Sequence, residues 1–270
     1  SASQPPSSTL NKGLHMKIEV SCKTGSSNKA KGDLLEGLAK KLLLAQNYDV
    51  IDEIRTVGAE LDLLCKHKVN GKEIYVECKA QKDPVSAPIL RQLWGTVDFE
   101  DYSEGWLITT SELTKDAKGF VESWKSKPKE KSSRLSFYTP ELIINSLTSA
   151  SIIRTPPLDS ANKFVGSPDA LGDWTLLLSD FGIYWCVYTL KGGAPFGVLV
   201  YSASTGEHIK DKETINKLIN DFKESNDNIS LIYLESIIND VKNQIYTGLL
   251  IDAREIHDLK PALTIKLVDN

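Results

Sequence analysis

The stretch that decides the fold runs from Glu60 to Gln81, ELDLLCKHKVNGKEIYVECKAQ. Leu61 and Leu63 flank Asp62 in a short apolar run that reads as a strand. Asn70-Gly71 is a strong hairpin-turn signal, and IYVECKAQ reads as the returning strand. Alternate side chains of a strand share a face. Val76, Cys78 and Ala80 therefore point one way and suit a core, while Glu77, Lys79 and Gln81 point the other. The turn sets the two strands side by side, so Asp62 is expected close to Glu77 and Lys79. Glu60 shares the strand face of Asp62 and is the alternative carboxylate. Asp62 is preferred because it is central in the apolar run.

Two carboxylates and a lysine on adjacent strands have a definite chemical use. A hard divalent cation such as Mg²⁺ takes oxygen ligands, and one or two carboxylates often suffice, with water completing the shell. Such a cation polarises a phosphodiester, helps generate hydroxide and neutralises charge in the transition state. Lys79 is suited to orient the attacking water or to stabilise the developing phosphorane charge. An E-x-K strand by itself also describes a solvated face with a surface ion pair. Asp62 on the neighbouring strand is what favours a site.

Outward from this hairpin the chain alternates. DLLEGLAKKLLLAQ (residues 33–46) has the length and Leu/Ala/Lys content of a helix. Leu34, Leu38, Leu42 and Ala45 form its apolar stripe, and Glu36 and Leu43 lie on another side, so two buried faces are expected. YDVIDEI (48–54) reads as a strand and RTVGAE as a turn. A helix follows over 85–98, with Pro88 near its start, then the strand GWLITTS. Residues 114–125 form a helix opened by a Thr cap, RLSFYT a strand, and PELIINSL a helix with Pro in its first turn. The order is helix, three strands, helix, strand, helix, strand, helix, which implies a mixed sheet covered by helices.

That order, with a helix Glu, a strand Asp, a hairpin, E-x-K and a strand ending in Thr-Thr, resembles the PD-(D/E)XK nuclease superfamily. Within it, the chain is most similar to Mrr-like restriction endonucleases. The resemblance lies in GDLLEGLAKKLLLAQNYDV, GAELDLLC, YVECKAQKDPVSAPILRQLWG and GWLITTSELTKDAKGFVES, over roughly residues 28–145. It implies Asp62 and Glu77 as principal metal ligands and Lys79 as the catalytic lysine. It implies Glu36 as the helix carboxylate that completes the metal site, and Gln81 as a polar residue lining it. Leu61 stands where the superfamily's name has proline, and Glu77 where close relatives often have Gln. Thr109 and Thr110 read as hydrogen-bonding residues at a strand end. The fold class implied is a restriction-endonuclease-like mixed α/β sheet flanked by helices, followed by a second, smaller α/β domain. The activity implied is metal-dependent (Mg²⁺ or Mn²⁺) hydrolysis of DNA by an endonuclease, in defence against foreign DNA, as the effector part of a larger system.

The chain has 270 residues, 41% apolar and 25% charged, and a net charge of −4. Global disorder and a coat of positive charge are thereby excluded. Residues 1–150 carry 21 Lys and Arg against 20 Asp and Glu, and residues 151–270 carry 11 against 16, so a polyanion is expected to meet the first half. Lys82 and Arg91, just past E-x-K, and Lys115 and Lys118 are the expected DNA contacts. The densest basic run extends through Lys125, Lys127, Lys129 and Lys131 to Arg134 and reads chiefly as a solvated loop. No phosphate-binding glycine motif, zinc spacing or G-x-S-x-G is present.

The domain reading is a flexible lead-in with a short strand over 1–27, the nuclease domain over 28–148, a Ser/Pro/Gly-rich linker over 149–172 and a second domain over 173–270. DWTLLLSD, GIYWCVYTL and FGVLVYS read as three strands of that second domain, with a turn at Lys191-Gly192-Gly193, a helix over 211–224 and the strands ISLIYL and LTIKLV. Its aromatic density suits a core or an interface. A faint echo between GWLITTSELTKDAKGFVESW and FGVLVYSASTGEHIKDKETINKLINDF would put Cys186 and Tyr188 where E-x-K falls, so this domain is read as a sensor, a dimerisation unit or a degenerate repeat. Four cysteines without a C-x-x-C pair or a secretory signal imply reduced thiols in the cytoplasm. No membrane span is expected. The expected partners are DNA and further copies of the chain, since cutting two strands needs two sites, with a regulatory partner or ligand at the second domain. The alternatives are a non-catalytic binding or oligomerisation module on the same fold, and a nuclease acting on RNA or branched DNA.

Overall fold

The computed structural model describes residues 16–21, 28–55, 61–191, 194–211, 213–214, 218, 231–237 and 245–252. The expected turn over 56–60 with Glu60, most of the helix over 211–224, the strand LTIKLV and the Gly192-Gly193 turn lie outside the described residues.

A five-stranded mixed sheet holds β2 (Tyr48–Arg55), β3 (Leu61–His67), β4 (Glu73–Lys79), β5 (Glu104–Thr109) and β6 (Leu135–Tyr138), side by side in chain order. β2, β3 and β4 are antiparallel, whereas β4, β5 and β6 run parallel. The change of sense follows from the connections. β3 and β4 need only the Asn70-Gly71 turn, where Gly71 takes φ +69° and Asn70 Oδ1 accepts the Lys72 amide at 3.0 Å. The parallel strands need crossovers, and helices α2 (Ala87–Phe99) and α3 (Lys115–Lys125), the latter with the short α4 (Lys129–Ser132), supply them. Thr114 caps α3 by accepting the Ala117 amide at 3.2 Å, and Pro88 sits in the first turn of α2, both as the sequence predicts.

Helix α1 (Asn28–Ala45) lies between this sheet and a second one, in which β1 (Met16–Ser21), β7 (Leu171–Ser179), β8 (Gly182–Lys191) and β9 (Ala194–Ser202) follow in that order. Leu35, Leu38, Ala39, Leu42 and Leu43 of α1 join Leu63, Val76, Trp106 and Ile108 on one side and Ile18, Trp174, Leu176 and Trp185 on the other, in one continuous core. Each of those leucines contributes about 1.5–3 kcal/mol by burial. The two buried faces expected of this helix are present. Of the expected stripe, Leu38 and Leu42 are buried, whereas Leu34 is half-buried and Ala45 exposed, and Leu35 and Ala39 are buried instead. Helix α5 (Pro140–Ser149) adds Ile143, Ile144 and Leu147. The opposite face of the five-stranded sheet packs Tyr75 and Leu107 against Leu90, Leu93 and Val97 of α2 and Ala117, Val121 and Trp124 of α3. A Cβ at Gly105 would collide with Val97, which is why the second residue of β5 is glycine.

Three features differ from the sequence reading. The short strand of the lead-in, β1, pairs parallel with β7, from Met16 opposite Trp174 to Ser21 opposite Ser179, so the N-terminal strand belongs to the second sheet. The stretch 149–172 is not a bare connector. It contains helix α6 (Leu158–Val165), closed by Gly166 at φ +78°, and buries Ile153 and Ala161. The connections around the strands that the echo aligns also differ: β8 is antiparallel to both neighbours and reaches β9 without a crossover helix, whereas β4 reaches its parallel partner β5 through α2. β10 (Leu231–Ile237) and β11 (Ile245–Asp252) form an antiparallel pair; β10 overlaps the expected ISLIYL strand, and β11 was not expected.

Candidate active site

The alternation of β4 divides its side chains as the sequence predicts. Val76 and Cys78 enter the α1 core, and Tyr75, Glu77 and Lys79 face the other way. Asp62 of β3 stands directly opposite Glu77 in the antiparallel register. Directly opposed residues have Cβ atoms roughly 4.5–5.5 Å apart, so the two carboxylates are neighbours. Both are buried, at 3% and 5% exposure, and Lys79 is buried at 7%. Lys79 Nζ donates to Glu77 Oε1 at 2.9 Å. Tyr75 Oη donates to Asp62 Oδ2. Burial, then the bond to Asp62 and the charges of Asp62 and Glu77, hold the Tyr75 phenol well above its ordinary range, so it acts as a donor.

Parallel pairing puts Thr109 of β5 beside Lys79. Thr109 is fully buried; its Oγ1 lies 3.2 Å from Ser111 Oγ and accepts the Ser111 amide at 3.1 Å. Thr110 donates its amide to the Lys79 carbonyl and its hydroxyl to the Gln81 carbonyl, each at 3.1 Å. These bonds tie the end of β4 to the end of β5, the strand-end role expected of the two threonines.

Glu36 is buried at 5% exposure on α1 and ion-paired with Lys40 one turn on. Its charge, like those of the strand carboxylates, is felt at the Cys78 thiol on the α1 side of β4. The Cys78 thiol is pushed up first by burial and then by Asp62, Glu36, Cys65 and Glu77. Cys65 is pushed up to about 12 by burial, against the opposing charge of Lys40. Both thiols stay protonated and inert at neutral pH.

Gln81 is half-buried, and its Nε2 donates to the Asp83 carbonyl at 2.7 Å. Lys82 and Arg91 are exposed just beyond the site. The charge of Lys82 reaches Glu19 of β1, whose carboxyl burial raises, with Lys17 and Lys82 opposing. Lys115 and Lys118 are exposed at the start of α3, with Lys118 3.6 Å from Glu112. The rest of the basic run lies at the other end of the sheet. Arg134 accepts the amide of Gly105, at the start of β5, through its carbonyl at 2.8 Å. Lys127 sits over the Trp124 ring at 5.8 Å, and Lys131 and Arg134 over Trp94 at 5.3 and 4.9 Å.

Two side chains of the cluster escaped the sequence reading. Tyr75 is two residues before Glu77, so alternation alone places it on the same face. Lys40 is one helical turn after Glu36, a spacing that favours an ion pair.

The buried pair Asp62–Glu77 offers carboxylate oxygens only, the donor type a hard cation selects. Among the described residues, no group of three or more His, Cys, Asp or Glu side chains is gathered to hold a metal. A cation here would draw on two carboxylates and complete its shell with water, which suits Mg²⁺ or Mn²⁺.

Residues 27–128 match the Mrr catalytic-domain family, described as a restriction endonuclease. Among solved structures, the chain is similar to a DNA modification-dependent restriction endonuclease, AspBHI, at 15% identity and a TM-score of 0.31, over 47% of this chain and 37% of that one. The match spans little more than a third of that protein's length. No curated protein matches.

Proposed function

We infer, from an Mrr-type restriction-endonuclease domain over residues 27–128, that the chain is a metal-dependent endonuclease that hydrolyses DNA phosphodiester bonds. The observation that carries this reading is the pairing of Asp62 with Glu77 across β3 and β4, both buried, with Lys79 bonded to Glu77 on the same face. Taking a charge out of water costs several kcal/mol, so a structural sheet has no use for three at one place. Asp62 and Glu77 would hold the cation, and Glu36 would join them on release from Lys40. The bound cation would supply Lewis-acid polarisation of the phosphodiester and a more acidic water. Lys79, ion-paired with Glu77, orients the attacking water and stabilises the negative charge that grows on the phosphoryl oxygens. Thr109 and the strand-end bonds of Thr110 hold Lys79 in place. Lys82, Arg91, Lys115 and Lys118 contact the DNA backbone beside this end of the sheet. The setting is defence against foreign DNA, with the chain acting as an effector and assembling as a homo-oligomer so that two strands can be cut.

Supercoiled plasmid and single-stranded RNA of similar length, each incubated with Mg²⁺, Mn²⁺ or EDTA, test this reading. Nicking or linearisation of the plasmid with metal, absent with EDTA and absent on RNA, is the expected result. Cleavage of RNA alone transfers the site to the other substrate class. Cleavage that persists in EDTA removes the metal from the account.

A further inference from the structure

We propose that Tyr75 is a positioning residue for the metal ligand Asp62, its hydroxyl fixing the plane of the carboxylate so that one oxygen is presented to the cation. This rests on the reading of Asp62 as a ligand. Tyr75 lies opposite Leu64, two pairs along the ladder from Asp62 and Glu77 and so on the same face of the sheet. Diagonal neighbours across antiparallel strands are about 7–8 Å apart, within reach of a long aromatic side chain. The hydroxyl makes that reach and donates to Asp62 Oδ2. A phenol has one hydrogen to give, so the bond engages Oδ2 and turns Oδ1 to the ligand role.

The ring is held independently of the bond. Tyr75 is 7% exposed and packs in the core beneath α2 and α3. Its ring is parallel to that of Tyr102, at an interplanar angle of 4° and a centroid separation of 5.8 Å. A side chain fixed this firmly costs little further ordering when it orients a neighbour. Partners that hydrogen-bond a ligating carboxylate typically carry 10–100-fold in metal affinity. Tyr75 therefore belongs to the cation's binding energy without touching the cation.

Tyr75→Phe keeps the ring, its burial and its stacking and removes only the hydroxyl. Titration calorimetry with Mn²⁺ on the full chain compares wild type, Tyr75→Phe and Asp62→Ala, with the metal-free melting temperature of each recorded alongside. The expected result is Mn²⁺ binding by wild type, none by Asp62→Ala, and binding weakened about 10–100-fold in Tyr75→Phe at a melting temperature close to wild type. In plasmid cleavage, Tyr75→Phe then needs proportionally more Mn²⁺ for half-maximal rate and approaches the wild-type rate at saturation. Wild-type Mn²⁺ affinity in Tyr75→Phe, whether or not its melting temperature falls, marks a structural tyrosine and overturns the proposal while leaving Asp62 as a ligand. No Mn²⁺ binding by wild type, or undiminished binding by Asp62→Ala, overturns the reading on which the proposal rests.

Discussion

The two larger sheets share one core through α1, yet they bury different chemistry. Among the described residues, the buried charged side chains are Glu36, Asp62, Glu77 and Lys79, all at or against the sheet of β2 to β6. The sheet of β1, β7, β8 and β9 buries Trp174, Trp185 and Tyr201, its buried polar residues Ser21, Ser179 and Thr189 carry hydroxyls, and its Glu19 is half-buried. Trp174 lies edge-on to Trp185, with ring centroids 6.2 Å apart, and Tyr201 is 5.9 Å from Trp174. The second sheet is built as a stable core is built, from apolar area and aromatic contacts. The first accepts charges that a stable core avoids. The same burial that makes a sheet hold together therefore marks, by its exceptions, the place proposed for the chemistry.

The contrast breaks most sharply at Lys79. Lys79→Ala is expected to lower cleavage by about 10²–10³-fold or more, and Asp62→Asn to abolish it. The metal-free melting temperature of Asp62→Asn is expected to hold or rise, because one of two neighbouring buried charges is gone. Cleavage assays beside differential scanning fluorimetry read both. A fall in melting temperature with cleavage intact would make Asp62 a structural carboxylate.

On the other sheet the expected pattern reverses. Trp174→Ala should cost about 3–5 kcal/mol in urea unfolding and leave the Mn²⁺ affinity of the folded protein unchanged. A loss of affinity at full folding would show that the second sheet shapes the site through α1.

A smaller effect is expected from His208, whose ring stacks on Tyr201 at 4.9 Å and meets Phe164 edge-on at 5.4 Å. Burial, aided by Lys210, holds it down at about 4, against an ordinary value of 6.5. The unfolded chain therefore takes up this proton first as pH falls. The stabilisation is complete above pH 6.5 and is lost as the pH drops from there through 4. Melting temperatures between pH 7 and pH 4.5 should fall less steeply in His208→Gln than in wild type. Identical slopes would remove His208 from the acid response.

The smallest effects distinguish the two ends of the first sheet. Lys82→Ala is expected to flatten the salt dependence of DNA binding by about one unit of slope. Lys127→Ala, at the far end and packed over Trp124, is expected to leave the slope unchanged. The reverse result would move the DNA path to the aromatic end.

Much of the site is legible in the sequence because it rests on period two and one turn. Asn70-Gly71 sets the register, the register puts Asp62 opposite Glu77, and alternation puts Lys79 beside them. Tyr75 obeys the same alternation, but nothing local says that its hydroxyl reaches the neighbouring strand. Glu36 is the least legible of the buried charges. A helix carboxylate is ordinarily solvated, and the burial of Glu36 comes from tertiary packing around α1 that no local pattern encodes. The pairing of β1 with β7 is invisible in the same way: partners about 160 residues apart leave no local signal, and the Ser, Pro and Gly content of 149–172 conceals a helix that packs into the core.

The claim at the centre is that one cation binds between Asp62 and Glu77 beside Lys79. Crystals of the full chain soaked in Mn²⁺, with diffraction recorded at the manganese edge, test it most directly. The account predicts an anomalous peak about 2.0–2.2 Å from a carboxylate oxygen of each of Asp62 and Glu77, typical of small hard cations, and no peak there in Asp62→Ala. A peak elsewhere, or none at the pair in a protein that cleaves DNA with Mn²⁺, would contradict it.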